Sequence, residues 1–343
     1  MTRNQKGGDS PRVARLVRAG RAAIVAPSLF ALALLVIKQP EVAGFAVFGI
    51  FVQLVMTSYD SSARARSGES AMLCLLGAMA IGLATLASAD LWLAAGGALI
   101  AGFLSECPWL TRGRLVRDGT ALLLAFMLGV AAPASVSVAY PRLAGWLLAG
   151  LVAQPILLLL WVPVQPTKTA SAIGAPLKRE AVSTGLDPAS SWTGNAAATG
   201  AAMAIAVLLT RLLKLDHAFW VFLGVLPVIC ARGNSPSRTF WEQQAGTLAG
   251  CLVGALLVAI IGTHDAWYWA ILPLTVFAAS YASSAVGFMA GQGAFTVFAV
   301  VLFGILLPHQ SDVGILRVAD IAIGGAVSLV AVSLRRVGDI RPR

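Results

Sequence analysis

The chain has 343 residues, of which 58% are apolar and 12% are charged, and its formal net charge is +10 at pH 7. Soluble domains usually carry about 25% charged residues, so the composition excludes an ordinary soluble domain. The charges fall between apolar runs of about 18–21 residues, which is long enough to span a hydrocarbon core of ~30 Å. The sequence therefore predicts an all-α, polytopic membrane protein held together by helix–helix packing in lipid.

Twelve apolar segments follow one another along the chain, six on each side of a connector. They are predicted at residues 20–37, 41–58, 70–87, 91–106, 119–139, 142–162, 193–213, 217–231, 243–262, 267–282, 288–307 and 315–334. The boundary between the tenth and the eleventh segment is the least defined, because serine and glycine residues blur the loop between them.

These segments divide the chain into five parts. We expect a basic cytoplasmic N-terminus (1–19), a first six-helix repeat (20–162), a cytoplasmic linker (163–192), a second six-helix repeat (193–334) and a basic cytoplasmic tail (335–343). The linker is rich in Pro, Ser, Thr and Ala and is too short for a domain.

The basic residues are distributed unequally between the two sides of the membrane. With an internal N-terminus, 20 of the 25 Lys and Arg residues lie in internal segments; the five external ones are Lys38, Arg142, Arg211, Lys214 and Arg317. Cytoplasmic loops carry an excess of Lys and Arg, so both termini are predicted on the cytoplasmic side of a bacterial inner membrane. The positive charge then reflects orientation and contact with anionic membrane lipid, and no soluble basic face points to nucleic acid.

The two halves of the sequence resemble each other at a shift of 175 residues. The shift aligns Glu41 with Asp216, Gly49 with Gly224, Gly129 with Gly304, Pro133 with Pro308, Arg142 with Arg317, and Gly150 with Gly325. Because each half contains an even number of predicted spans, the halves point the same way through the membrane. The sequence thus predicts parallel repeats, an arrangement that places a substrate path between the halves.

Residues 220–255 contain an apolar run, a short polar hinge and a second apolar run. The second run places Gly246, Gly250 and Gly254 four residues apart, so they share one helix face and allow another helix to approach closely. Simple packing without a role in transport is the plainer interpretation of this stripe. The hinge contributes Arg232 and Arg238, which we expect to attract anions at the inner mouth of a path.

Several short motifs resemble the fusaric acid resistance protein-like group, also described as the bacterial aromatic acid exporter family. They are residues 219–221 entering a span, the basic hinge, residues 244–250 (QAGTLAG), residues 295–296 and residues 317–320. Long members of the group carry large cytoplasmic portions, so this chain is similar to a short form. The resemblance implies efflux of small organic anions, with aromatic carboxylic acids as the class.

No residue set in the sequence is typical of an enzyme. The chain contains no GxxxxGK[ST] phosphate loop and no CxxC pair among its four cysteines. Its three histidines fall at predicted external ends of spans, and no nucleophile, base and orienting residue occur together. We therefore expect no catalytic residue, no metal and no cofactor.

Four polar residues lie deep in the predicted spans: Gln53, Gln154, Asn195 and Gln292. Polar groups in hydrocarbon are costly unless they face protein or water. Such residues form hydrogen bonds between helices or line a passage and offer donors to a carboxylate. Both interpretations are open from the sequence alone.

Arg317 and Asp320 lie near the outer end of the last span. Their i,i+3 spacing allows a pair on one helix, which is the plainer interpretation. In the sharper one, Arg317 meets an anionic substrate and Asp320 takes up a proton. Trp220 begins a span, which favours an interfacial belt position over stacking on an aromatic ligand.

The sequence therefore predicts a proton-motive-driven exporter of small organic anions. A passive anion channel and a non-transporting scaffold of the cell envelope are the alternatives from other classes. The expected partners are membrane lipid and the anionic solute, with a second copy of the chain or an envelope protein left open.

Overall fold

The computed structural model of the protein describes residues 11–57, 62–107, 119–159, 191–215, 218–231, 235–262, 264–307 and 313–340. Within those ranges the chain forms twelve α-helices and no β-strand. They are α1 (Pro11–Ala31), α2 (Pro40–Phe51), α3 (Ala63–Ala87), α4 (Leu91–Ser105), α5 (Gly119–Val130), α6 (Ala139–Leu159), α7 (Ser191–Leu212), α8 (Ala218–Ile229), α9 (Pro236–Ile261), α10 (Asp265–Ala285), α11 (Phe288–Leu306) and α12 (Val313–Ile340). The predicted all-α class is confirmed.

Seven of these helices, α1, α3, α6, α7, α9, α11 and α12, lie in segments long and apolar enough to cross a membrane. Four more, α2, α4, α5 and α8, are apolar but shorter, and α10 falls in neither group. At ~1.5 Å per residue, a twelve-residue helix covers only about 18 Å of the hydrocarbon core. The long apolar helices indicate a multi-pass membrane protein.

Several helix ends differ from the predicted boundaries. Helix α1 begins at Pro11, nine residues before the predicted span, because proline is well suited to the first turn of a helix. Pro236 has the same role in α9, so Arg238 lies on that helix and not in a hinge. Helix α5 ends at Val130, three residues before Pro133, which cannot donate a backbone hydrogen bond. The predicted linker lies outside the described residues up to residue 190.

The short helices α2, α5 and α8 are the most buried elements of the fold. Eight of the twelve residues in each of them are buried, whereas α9 buries nine of its 26. Leu252, Leu256 and Ile260 remain exposed on α9, as expected for a face toward lipid. A short central helix does not have to cover the full hydrocarbon thickness alone, because protein surrounds it.

Equivalent helices of the two halves make equivalent contacts. Helix α2 packs on α6, and α8 packs on α12; α3 packs on α5 and α6, and α9 packs on α11 and α12. At residue level, Gly49 lies against Trp146, and the same shift of 175 residues brings Gly224 against Ile321. Glycine at these positions lets the two helix backbones approach closely.

Two further contacts join the halves. Helix α1 packs on α10, and α4 packs on α7, so each half lends one helix to the flank of the other. The α4–α7 contact is close, because a Cβ atom on Gly102 would lie 2.8 Å from the Cα atom of Gly200. The α1–α10 contact is filled by the rings of Phe30 and Trp269, whose centroids are 5.3 Å apart.

The boundary that the sequence left least defined is a break of two residues. Helix α10 ends at Ala285, and α11 begins at Phe288 after Gly287, whose φ of 145° favours glycine. The chain therefore reverses direction between the two helices with almost no loop, and α10 packs along α11.

Candidate functional site

Arg317 is the largest buried polar side chain of the second half, with 0% of its surface exposed. Helix α12 carries it between two aromatic rings. The guanidinium carbon lies 4.3 Å from the Trp220 ring centroid and 5.0 Å from that of Phe295. Cation–π contact of this kind contributes about 2 kcal/mol when it is desolvated, so the rings partly compensate the buried charge.

One hydroxyl group of α11 fixes the orientation of this guanidinium. The Thr296 hydroxyl donates a hydrogen bond to the Gln292 carbonyl at 2.8 Å, which leaves its oxygen to accept from Nε of Arg317 at 3.0 Å. The terminal nitrogens Nη1 and Nη2 of Arg317 have no hydrogen-bond partner among the described residues. The indole nitrogen of Trp220 is likewise buried without a partner there.

Asp320 follows Arg317 by one helical turn and is 4% exposed. The two side chains interact electrostatically, and Asp320 has a further contact in the structure. The site therefore combines a buried cation with a nearby buried carboxylate, at the position where the sequence predicted a pair.

Trp220 is part of an aromatic cluster that crosses from the second half to the first. Its ring centroid lies 5.7 Å from that of Phe303 and 6.5 Å from that of Phe48 on α2. Only 1% of Trp220 is exposed. The predicted interfacial belt position is therefore wrong, because the residue faces the protein interior and not the lipid headgroups.

A small cavity of about 30 Å³ lies beside this cluster, where the two halves meet. Helices α2, α5 and α6 of the first half and α8 and α11 of the second supply its walls. Its lining residues are apolar and largely aromatic: Phe48, Phe51, Val52, Met56, Leu124, Leu128, Trp146, Phe219, Leu223 and Phe295. Phe295 belongs both to this wall and to the surroundings of Arg317.

Arg142, which the 175-residue shift aligns with Arg317, has different neighbours. It is 4% exposed, and its Nε lies 3.3 Å from a carboxylate oxygen of Glu41. Its Nη1 donates to the Gly129 carbonyl at 2.9 Å. Its guanidinium carbon lies 5.4 Å from the ring centroid of Phe45, the residue aligned with Trp220.

The four predicted path residues lie on separate helix contacts. Gln53 accepts from Ser70 at 3.0 Å, and Gln154 accepts from Ser67 at 3.1 Å, so both join helices of the first half. Asn195 on α7 accepts from Arg335 on α12. Gln292 lies on α11 beside Gly246. None of the four is among the residues that line the cavity.

The two predicted hinge arginines have different standing in the structure. Arg232 lies outside the described residues. Arg238 is on the first turns of α9, where 73% of its side chain is exposed, and it pairs with Glu242 at 2.7 Å. Its charge is therefore at the surface, one turn from a carboxylate of the same helix.

The glycine stripe of α9 faces α11. A Cβ atom on Gly246 would collide with the Met289 carbonyl, and one on Gly250 would collide with the Gly293 carbonyl and lie 2.8 Å from the Cβ atom of Thr296. On Gly254 it would lie 3.0 Å from the side chain of Val300. Gly250 thus brings α9 against the threonine that orients Arg317.

The sequence did not single out the aromatic residues around this site. Phe48, Phe51 and Phe219 lie in apolar segments, where a phenylalanine on the cavity wall looks the same as one facing lipid. The repeat carries the signal that could have singled out Trp220, because the 175-residue shift aligns it with Phe45. Nothing in the spacing predicts that Thr296 meets Arg317.

Comparison with known proteins supports the family resemblance of the second half of the chain. A family model described as fusaric acid resistance protein-like matches residues 203–331, from α7 to α12. This confirms the resemblance that the sequence motifs indicated there. No curated protein and no solved structure matches the chain.

Proposed function

We propose that this protein, whose residues 203–331 match the fusaric acid resistance protein-like family, is a secondary transporter that exports small organic anions across the bacterial cytoplasmic membrane. The family match and the multi-pass helical fold support membrane transport. The direction, the solute and the energy source are the proposed part.

Aromatic carboxylic acids are the proposed solute class. The motif resemblance implies them, and the character of the central region agrees. Rings from α2, α6, α8 and α11 line the cavity between the halves, and a buried guanidinium adjoins one of those rings. An aromatic acid combines an apolar ring with one negative charge, so both kinds of neighbour suit it.

The proposed path runs between two parallel six-helix repeats. The equivalent helix contacts in the two halves support the repeat, and parallel repeats related by an axis along the membrane normal are a common transporter plan. Gln53, Gln154, Asn195 and Gln292 remain the proposed polar lining once the halves move apart. In the described arrangement they bond between helices or lie beside them.

Both termini are proposed to lie in the cytoplasm. The excess of basic residues in the predicted internal segments supports this orientation. Arg232 and Arg238 would then attract anions at the inner mouth, and Arg317 with Asp320 would act toward the outer end. Membrane lipid and the solute are the proposed partners, with no nucleic acid, no cofactor and no enzymatic step.

The proton-motive force can drive such export through its electrical part. One elementary charge crossing 100 mV gains about 2.3 kcal/mol, which corresponds to a concentration ratio of roughly 50 at equilibrium. An inside-negative potential therefore pushes a monovalent anion outward. Asp320 is the proposed site for a coupled proton in addition.

The observation that carries the proposal is the aromatic-lined cavity at the junction of the two halves. Ligand sites in helical bundles lie between helices and combine apolar walls with a few polar groups. The cavity has walls from both halves and a cation behind one of its rings.

A proteoliposome assay tests the function. Vesicles that contain the purified protein are loaded with a labelled hydroxybenzoate, and its exit is followed with an imposed potential, with an imposed pH gradient, and with neither. Gradient-dependent exit above protein-free vesicles supports an exporter.

Two other outcomes would overturn the proposal. Exit that follows only the solute's own electrochemical gradient and produces a steady current indicates a passive anion channel. The absence of exit for several organic acids, together with stable capture of one envelope protein, indicates a scaffold.

A further inference from the structure

Arg317 carries hydrogen-bonding capacity that the described structure does not use. Its Nε bonds to Thr296, but Nη1 and Nη2 have no hydrogen-bond partner among the described residues, and the side chain is fully buried. The indole N–H of Trp220 shares this condition. All three groups are donors, so the chemistry that complements them is an acceptor, and the charge of the guanidinium favours an anionic one.

The geometry of the guanidinium narrows the kind of anion. Thr296 holds the Nε edge, and the rings of Trp220 and Phe295 lie near the group. The terminal nitrogens form a planar fork that matches the two oxygens of a carboxylate. A carboxylate bound there has aromatic rings on the side where the rest of its molecule must lie.

The aromatic wall continues from Arg317 to the cavity between the halves. Phe295 contacts the guanidinium and also lines the cavity, and Phe48 contacts Trp220 and lines it as well. A cavity of about 30 Å³ is far too small for a benzene ring, since an apolar cavity that binds benzene measures about 150 Å³. Binding therefore requires Phe48 and Phe295 to move, which links occupancy to separation of the halves.

Arg142 shows what a buried arginine looks like when its donors are used. It has the aligned position and an aligned aromatic neighbour, Phe45, yet its donors reach Glu41 and the Gly129 carbonyl. The Arg142 pattern is that of a structural arginine, and Arg317 departs from it in the groups that bind carboxylates.

From this contrast we propose that Arg317, with the indole N–H of Trp220, binds the carboxylate of a planar aromatic monocarboxylate whose ring occupies the space opened between Phe48 and Phe295. The inference rests on the proposed function for its substrate class, but it concerns binding and holds or fails separately from transport. The residue aligned with Glu41, Asp216, lies outside the described residues. If its carboxylate fills the site permanently, no added acid binds.

The test measures binding of unlabelled ligands to the purified full-length protein in lipid nanodiscs, by calorimetry. Benzoate, cyclohexanecarboxylate and benzyl alcohol are compared, since they separate the contributions of the carboxylate and of the flat ring. The variants are Arg317→Lys, which keeps the charge but loses the fork, and Trp220→Phe, which keeps a ring but loses the N–H. Arg142→Lys is the matched control, and size-exclusion profiles verify that each variant is folded.

We expect saturable binding of benzoate, at least 10-fold weaker binding of cyclohexanecarboxylate, and no measurable binding of benzyl alcohol. Arg317→Lys weakens benzoate binding by 10-fold or more, Trp220→Phe by about 3- to 10-fold, and Arg142→Lys by less than 2-fold. Equal affinity in the wild type and Arg317→Lys would overturn the proposal. So would equal binding of the two acids, or no binding of either.

The vesicle assay separates this inference from the function. Arg317-dependent binding without any export leaves the binding site standing and removes the transporter proposal. Export that is unchanged in Arg317→Lys removes the binding site and leaves the transporter.

Discussion

The two halves of the protein place an arginine at the same position of a 175-residue repeat and surround it differently. Arg142 reaches a carboxylate and a backbone carbonyl, and its neighbour Glu41 is 45% exposed on its side chain. Arg317 reaches one hydroxyl, two rings and a buried acid on its own helix. The comparison teaches that one scaffold position supports either an architectural arginine or one with donors to spare.

The aromatic neighbour changes in the same way. Phe45 has become Trp220, which adds a buried N–H group, and the distance from guanidinium carbon to ring centroid falls from 5.4 to 4.3 Å. The residue one turn after the arginine changes from Gly145, which makes room for α2, to Asp320. The second half has therefore gained polar groups where the first half uses its space for packing.

The largest expected effect is on transport. Removing a fully buried charged group that binds its ligand costs about 2–5 kcal/mol, so Arg317→Gln lowers hydroxybenzoate efflux by at least ~30-fold. Arg142→Gln lowers efflux only in proportion to the loss of folded protein. Initial efflux rates from vesicles, divided by the amount of folded protein, measure both, and equal losses would contradict the comparison.

The glycine stripe gives the next effect. Gly250→Ala places a Cβ atom against the Gly293 carbonyl and Thr296, and overpacking of this kind costs about 1–3 kcal/mol. Gly96→Ala is the control, because a Cβ atom there meets nothing within 4 Å. Unfolding in mixed micelles measures the free energy, and Gly250→Ala also reduces efflux, because it displaces the threonine that orients Arg317.

Stability should respond in opposite directions at the two arginines. Replacing a buried charge that lacks a full set of partners by an apolar residue is often neutral or stabilising by ~1–4 kcal/mol, so Arg317→Met leaves the melting temperature unchanged or raises it. Arg142→Met removes a pair and leaves the Gly129 carbonyl without its donor, so it lowers stability by about 1–3 kcal/mol. Melting curves without ligand decide the matter, and a large drop for Arg317→Met would give it an architectural role.

Asp320 offers a smaller effect on binding. Its negative charge lies near the proposed anion site, so Asp320→Asn removes a repulsion and raises benzoate affinity by ~3- to 10-fold, the scale of one partly screened charge interaction. If Asp320 also carries the coupled proton, export in this variant no longer responds to an imposed pH gradient. Unchanged export in response to that gradient would remove the coupling role.

Arg238 is expected to matter least. It is mostly exposed and pairs with Glu242 on its own helix, and exposed pairs of this kind contribute little to stability. Arg238→Gln leaves the melting temperature unchanged and lowers efflux by less than ~3-fold at low salt. The difference should vanish at high ionic strength, where surface charges are screened.

The sequence predicted the helical class and an apolar segment for each described helix, because runs of apolar residues between charges are strong signals in a membrane protein. It predicted helix ends less well. The first helix begins at Pro11, and the basic residues that marked a loop lie on it, where Arg15 donates to the Ser284 carbonyl at 2.9 Å. A charged residue at a membrane surface is equally compatible with a loop and with a helix.

The site was predicted in part. A rare charge in an apolar segment is enough to point to Arg317 and Asp320 from the sequence alone. The aromatic neighbours were beyond reach, since spacing along one helix says nothing about which residue of another helix it meets. Trp220 was expected at the lipid interface for the same reason, and only the packing of α8 against α2, α11 and α12 buries it.

The exchange of flanking helices has a consequence for how the protein is made. Helix α1 packs on α10, and Asp265, the first residue of α10, follows Ala31 by 234 residues. At a synthesis rate of ~5–20 residues per second, roughly 10–50 s pass before the first helix inserted into the membrane meets its final neighbour. During that interval the ring of Phe30 and the guanidinium of Arg15 lack their eventual contacts, Trp269 and the Ser284 carbonyl. Nascent α1 must therefore be held by lipid, by α2 or by the insertion machinery until translation is nearly complete.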